Sequence, residues 1–411
     1  MYSARVIEAA VEKYQRTSSL KLIRIPAPKV EDWVHHLEER LKRFKGEVDE
    51  LRKDLTKEEL AFIRNERVMS MLDFEYWCQR YCTIPSDGGG ICKLNFWYSQ
   101  RIFTRKMAQV EEEMHARRAA NETVDGMLIV GHKSRQLGET MLGRAICMHR
   151  LTTQQHRRAM GASVDDDKIQ ELYDRDKTIY DNLPWWLRPE LGYDEKRAHI
   201  YFEKLDSRII YQVSSQKSGL GVGRQFDLGH LTELSTWINA SAVELDFFPT
   251  LPQSITTFCL LESTAYGRGG WWHEFTERVR KGLSRRWVYV FIPWYAEPSK
   301  YRATPPVSWI PSEVAMLHAQ KIHETSAEFI GHSLMIPRES LYWWETTREE
   351  YRKAGNLNFF LTNYCSTPEE SFQHSGVSAF DAELIEQLRL GASHGESFEI
   401  VRQGEASSQT A

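Results

Sequence analysis

The 411-residue chain is poor in cysteine, and its six cysteines (Cys78, Cys82, Cys92, Cys147, Cys259 and Cys365) are scattered rather than spaced as a disulfide framework. Cys78, Cys82 and Cys92 invite a zinc reading, but no fourth ligand stands near them. Cys147 and Cys259 lie in apolar runs and read as small core residues. The expectation is reduced thiols in a cytoplasmic setting. Long apolar runs are also missing. No stretch reaches the roughly 20 residues of a membrane span, and the opening Met1-Tyr-Ser-Ala-Arg5 lacks the apolar region of a signal peptide. Excess charge of one sign is absent too. With a net charge of −4, contact with nucleic acid would have to come from local basic patches rather than a global positive field. No internal repeat is evident.

What is present is the composition of a soluble globular protein, 41% apolar and 27% charged, at a length that suggests two or three substructures. Val34, Leu37, Leu41, Phe44, Val48, Leu51 and Leu55 alternate spacings of three and four, the stripe of an amphipathic helix or coiled-coil seam, weakened by Gly46. Thr56-Lys-Glu-Glu59 resembles a capping box opening a further helix. Two readings of this N-terminal arm stay open: a docking arm for a partner, or a hairpin packed on its own domain. Asp73 to Cys82 reads as an aromatic-rich helix. Asp165-Asp-Asp167 has the look of a metal cluster but reads better as a capped helix start, with acidic residues favoured by the dipole.

Three segments carry chemistry. Lys133-Ser-Arg-Gln-Leu-Gly-Glu-Thr140 follows the apolar run Met127-Leu-Ile-Val130 and precedes the helix-like Met141 to Cys147. Strand, polar glycine-bearing turn and helix form the layout of a phosphate-binding loop, in which backbone N–H groups and a helix N-terminus face the anion. The usual Gly-Lys-Ser/Thr ending is altered here: Glu139 stands between Gly138 and Thr140, and the basic residues come early, at Lys133 and Arg135. Phe226 to Glu233 reads as a buried strand ending in Thr232 and Glu233, where such enzymes place one acid toward Mg²⁺ and a Glu toward the attacking water. A hydroxyl at Thr232 would serve only as a weaker, outer-sphere partner of Mg²⁺. The third segment, Thr256 to Glu262 running into Ser263-Thr-Ala-Tyr-Gly-Arg-Gly-Gly270, is an apolar strand ending in hydroxyl and glycine residues, suited to sensing phosphate and moving on hydrolysis.

In order along the chain, KSRQLGET, HLTE, LLESTAYGRGGWWHEF, FIPWY and STPEESFQHSGVSAFD resemble the ATPase half of phage terminase large subunits, over about Asp73 to Phe398. The resemblance implies an α/β fold: a P-loop NTPase (ASCE-like) with a mostly parallel sheet flanked by helices, an N-terminal helical arm and a small C-terminal lid and linker. It divides the chain into an arm (1–60), an ATPase core (61–300), a lid with linker (301–390) and a polar tail read as disordered (391–411). It implies ATP and Mg²⁺ as cofactors. Gln100, Lys133, Ser134, Arg135, Gln136, Gly138, Glu139 and Thr140 would bind the nucleotide, Gln100 reading adenine through its amide. Lys133, Arg135 and Glu233 would be catalytic, Thr140 and Thr232 would face the metal, and Glu262, Ser263, Thr264 and Gly267 would couple hydrolysis to movement. Arg224, in the basic glycine-rich loop with Lys217, and Arg268 are candidates for an arginine acting on a neighbour's nucleotide. The partners implied are double-stranded DNA, a portal protein, a small terminase subunit and copies of the chain in a ring, a pentamer, docked transiently on the procapsid in the host cytoplasm, with no membrane. Family members carry a metal nuclease after the linker. The stretch after Phe398 is too short for one, so no nuclease activity is expected, whether the chain is a shortened one or the nuclease is encoded separately. Two rivals remain: a helicase-like or remodelling ATPase, and a non-catalytic scaffold in which Glu139 and Thr232 have disabled the site.

Overall fold

The computed structural model describes residues 4–18, 21–86, 88–192, 200–214 and 219–372. Lys217, Phe380 and the tail 391–411 lie outside the described residues. The strands are β1 (Thr83–Pro85), β2 (Ile91–Lys93), β3 (Met127–Lys133), β4 (Arg158–Ser163), β5 (Ile200–Phe202), β6 (Ser207–Val213), β7 (Leu228–Thr232), β8 (Phe258–Ser263) and β9 (Val288–Ile292). β1 and β2 form a small hairpin, and the other seven make one sheet in the order β5-β6-β4-β7-β8-β3-β9. Every neighbouring pair in that sheet is parallel except β5 with β6.

A parallel strand is covered on both faces, so its sequence reads as a continuous apolar run, and β3 is buried from end to end. Alternate residues still face opposite sides. Ile129, Phe258 and Leu260 join one core with Phe103, Leu142 and Ile146, whereas Leu128, Val130 and Leu261 join a second core with Phe247, Trp272 and Phe275. The first core draws on helices α2 (Ala27–Arg43), α3 (Val48–Lys53), α4 (Lys57–Leu72), α5 (Phe74–Arg80), α6 (Tyr98–Ala119), α7 (Glu139–Thr153) and α8 (Asp166–Asp181), whereas α1 (Ala4–Ser18) packs through Val11 and Tyr14 on a small third cluster of Leu22, Met69 and Tyr76. α9 (Trp271–Arg280) covers the other face. The remaining helices are α10 (Glu313–Ile330), α11 (Arg338–Lys353), α12 (Leu357–Asn363) and α13 (Pro368–Ser371).

The apolar stripe of the arm is not one helix. It is broken where Lys45 and Gly46 take positive φ, so α2 and α3 fold back, and Leu37 and Leu51 meet in the same core as Phe62, Trp77 and Trp186. The arm thus packs on its own domain. Thr56 and Glu59 make the capping box of α4, and Asp165 caps α8 by accepting from the Lys168 N–H, as the local sequence predicts. No group of three or more His, Cys, Asp or Glu residues suited to a metal occurs among the described residues, and Cys92 is exposed while Cys78 and Cys82 are buried. No helix among the described residues is long and apolar enough to cross a membrane.

Candidate active site

The three chemical segments converge because β7, β8 and β3 are adjacent and parallel, so their C-terminal ends share one edge of the sheet. β3 delivers Lys133 there, and the turn to α7 follows at once. Gly138 makes that turn with φ +84°, and a side chain on it would collide with the Gln100 amide, its Cβ lying 2.7 Å from Nε2. The first N–H groups of α7 have no acceptor within the helix and lie at the mouth of the turn.

Lys133 is buried. Its ammonium forms an ion pair with Glu262, and its Nζ lies 3.3 Å from the Thr140 hydroxyl. Thr140 Oγ1 in turn donates to Glu262 Oε1 at 2.7 Å. Burial works against the lysine's charge, but the carboxylates of Glu262, Glu139 and Glu233 outweigh it and hold its pKa above the ordinary value. Burial likewise opposes the Glu262 charge, yet Lys133 and His230 hold that carboxyl well below the usual range. This trio was only partly visible in the sequence, where Glu262 belongs to a coupling segment and nothing ties it to Thr140.

Glu139 does not turn outward. It is fully buried, with neither carboxylate oxygen hydrogen-bonded within the described residues, and burial pushes it up to about 7. At that value much of the residue is neutral at ordinary pH, which softens its repulsion toward a phosphate. Glu233 follows β7 in a left-handed conformation, φ +59°, with its N–H donating to the Glu262 carbonyl at 2.9 Å. It is only partly buried, and burial raises its pKa against the opposing pull of Lys133. Thr232, one residue earlier, is buried directly across from Glu262.

The loop itself is braced from two sides. At the start of α6, Ser99 Oγ donates to the Leu137 carbonyl at 2.9 Å, and Gln100 Nε2 donates to the Gly138 carbonyl at 2.8 Å while its Oε1 accepts from the Trp97 N–H. From the end of α12, the Asn363 carbonyl accepts from the Arg135 N–H at 2.9 Å, and just beyond it the Cys365 carbonyl accepts from Ser134 Oγ at 3.0 Å. Tyr301 donates its hydroxyl to the Arg135 carbonyl. The side chains of Gln100 and Ser134 are therefore engaged with backbone, whereas Arg135 and Gln136 are exposed at the turn.

Ser263 ties the third segment to the second. Its Oγ donates to Ser235 Oγ at 2.9 Å and accepts from the Ser235 N–H at 3.1 Å. Thr264 is buried and Gly267 has φ +70°. Arg268 Nε donates to the Phe372 carbonyl, while Arg224 stands exposed in its loop.

Behind the site lies a buried polar chain that sequence reading missed. His230 Nε2 is 3.5 Å from Glu262 Oε1, and its Nδ1 is 3.3 Å from Arg144 Nη1. Arg144 pairs bidentately with Asp176, which also accepts from the Tyr211 hydroxyl at 2.5 Å. Gly143 leaves room for the His230 ring, since a Cβ there would come within 2.7 Å of it.

No protein-family model and no curated protein matches the chain. Solved structures do. The HK97 bacteriophage large terminase is similar at 11% identity over 72% of this chain and 54% of its own, with a TM-score of 0.46. The ATPase domain of the Thermus phage P74-26 large terminase is similar at 13% identity over 62% of this chain and 92% of its own, with a TM-score of 0.39. These are phage large terminases. The chain spans about half the length of the HK97 protein.

Proposed function

We propose that the chain is the ATP-hydrolysing motor domain of a viral terminase large subunit, driving double-stranded DNA into procapsids. The observation that carries the nucleotide reading is the meeting of Lys133, Thr140, Glu262 and Glu233 at the ends of three adjacent parallel strands, in front of the α7 N-terminus. An ammonium, a hydroxyl beside a carboxylate, and free helix N–H groups are the donor set that a triphosphate with Mg²⁺ requires, so the residues present fit both. Lys133 and Arg135 neutralise the phosphates, and Glu233, nearest the solvent of the carboxylates, orients the attacking water. The Ser235–Ser263 link gives the third segment a direct hold on the loop that carries Glu233. That contact supports a coupling role for Glu262, Ser263, Thr264 and Gly267. Portal, small subunit and a ring of copies, with Arg224 or Arg268 reaching a neighbour, complete the reading. Both are exposed, but Arg268 Nε already donates to the Phe372 carbonyl.

The test is DNA-stimulated ATP hydrolysis by the purified chain, with Glu233→Gln beside it. The variant should keep nucleotide affinity and lose turnover by about 10²-fold or more. Wild-type turnover in that variant would remove Glu233 from the reaction. A chain that binds no ATP would leave the scaffold reading standing.

A further inference from the structure

The site contains a substitution and, one strand away, its remedy. Thr232 ends β7 where this kind of site calls for a carboxylate toward Mg²⁺. In the parallel register Thr232 pairs with Glu262 of β8, and Glu262 in turn pairs with Gly131 of β3. Paired residues of parallel strands project from the same face, so Thr232, Glu262 and, two residues beyond Gly131, Lys133 all project toward α6 and α7. Gly131 keeps the space open: a Cβ there would lie 3.5 Å from the Glu262 Cβ and 3.1 Å from the Phe103 ring.

Three contacts fix what the Glu262 carboxylate does in that space. Oε1 accepts from the Thr140 hydroxyl, the hydroxyl that a phosphate loop offers to the metal, at 2.7 Å. The same carboxylate meets Lys133, the loop's phosphate-binding charge. His230 Nε2 lies behind Oε1 at 3.5 Å without a hydrogen bond to it, and Arg144 lies behind His230 in turn. Burying both charges is costly unless the pair has further partners. Glu233 differs in kind: its carboxylate is nearer the solvent and only its backbone is tied to Glu262.

We infer that Glu262 is the magnesium carboxylate of this chain, displaced by one strand from the position Thr232 occupies, and that it shares the ion with Thr140. The inference rests on the nucleotide reading above. Mg²⁺ takes one or two carboxylates and keeps several waters, which one inward carboxylate beside one hydroxyl satisfies. Metal and phosphate together also draw Glu262 and Lys133 apart, so that each serves its own ligand instead of the other.

The test measures binding rather than turnover. Affinity for a non-hydrolysable ATP analogue is determined with and without Mg²⁺, and Mn²⁺ binding is followed by electron paramagnetic resonance. The wild-type chain should bind more tightly with metal. Glu262→Gln should lose that gain, by about 10–100-fold in metal affinity, while metal-free binding is kept or strengthened because Lys133 is released. Thr232→Asp combined with Glu262→Gln should restore the gain. Glu262→Asp keeps a buried charge beside Lys133 and serves if the Gln variant does not fold; its shorter reach should also weaken the metal gain. A full metal gain in either single variant overturns the inference, as does an equal loss of metal-free binding. Absence of all nucleotide binding by the wild-type chain would instead sink the nucleotide reading, and the inference with it.

Discussion

At the residue scale, two buried acids have opposite fates. Asp176 is matched: Arg144 and Tyr211 take up its oxygens in full burial. Removing one partner of such a pair leaves an unpaired buried charge, which costs about 3–5 kcal/mol. Asp176→Ala should lower unfolding stability by that order in a denaturant titration, and a loss within error of zero would mean the pair is open to water. Glu139 is unmatched, and burial pushes it up to about 7, against about 4.3 in the unfolded chain. Below the lower value both states hold the proton and its contribution is fully present. As pH rises from there to about 7, the unfolded chain releases the proton first and stability is lost; above that the loss is complete. Glu139→Gln should therefore leave the melting temperature nearly unchanged at acid pH and raise it at pH 8. An equal rise at both would show that the carboxyl ionises normally. The burial of Glu139 depends on what the fold lays against the start of α7, and no local pattern in the sequence records that.

At the scale of elements, the loop proposed to hold phosphate is a strand–turn–helix unit gripped by neighbours distant in sequence. Lys133 to Thr140 was legible as such a unit because its signals are local: an apolar run, a glycine, a helical stretch. The grip was not. The Ser99 and Gln100 contacts depend on where α6 begins relative to the turn, and the Asn363 and Cys365 contacts on how the chain after α11 returns. The role of Gln100 can be decided here. A residue that only braces the Gly138 carbonyl serves any nucleotide, so Gln100→Ala should weaken ATP and GTP binding by the same factor. Selective loss of ATP would restore base reading through the amide's remaining hydrogen-bonding capacity. The same distinction explains Glu262. A single sequence gives the end of β8, and only the order β7-β8-β3 reveals that this end faces Thr140.

For the whole molecule, charge sets the terms of DNA binding. A net −4 chain attracts a polyanion only through local patches, so an isolated copy should bind duplex DNA weakly, with little base preference and an affinity that falls steeply with salt. Fluorescence anisotropy between about 50 and 200 mM salt measures this; salt-independent binding would point to base contacts and against a tracking motor. The arm's apolar stripe was readable because periodicity is a local property, and the parallel sheet was implied by the resemblance of the ordered motifs, whereas the turn at Lys45–Gly46 that folds the arm onto its own core was signalled only by one glycine. The carbonyls of Asn363 and Cys365 carry one more consequence. An exposed loop amide ordinarily trades its hydrogen with water almost at once, but that of Arg135 is shut by a carbonyl at the end of α12. Deuterium should enter Arg135 only when that C-terminal segment lifts, and the two regions should label in step, as one cooperative opening of widely separated parts of the chain.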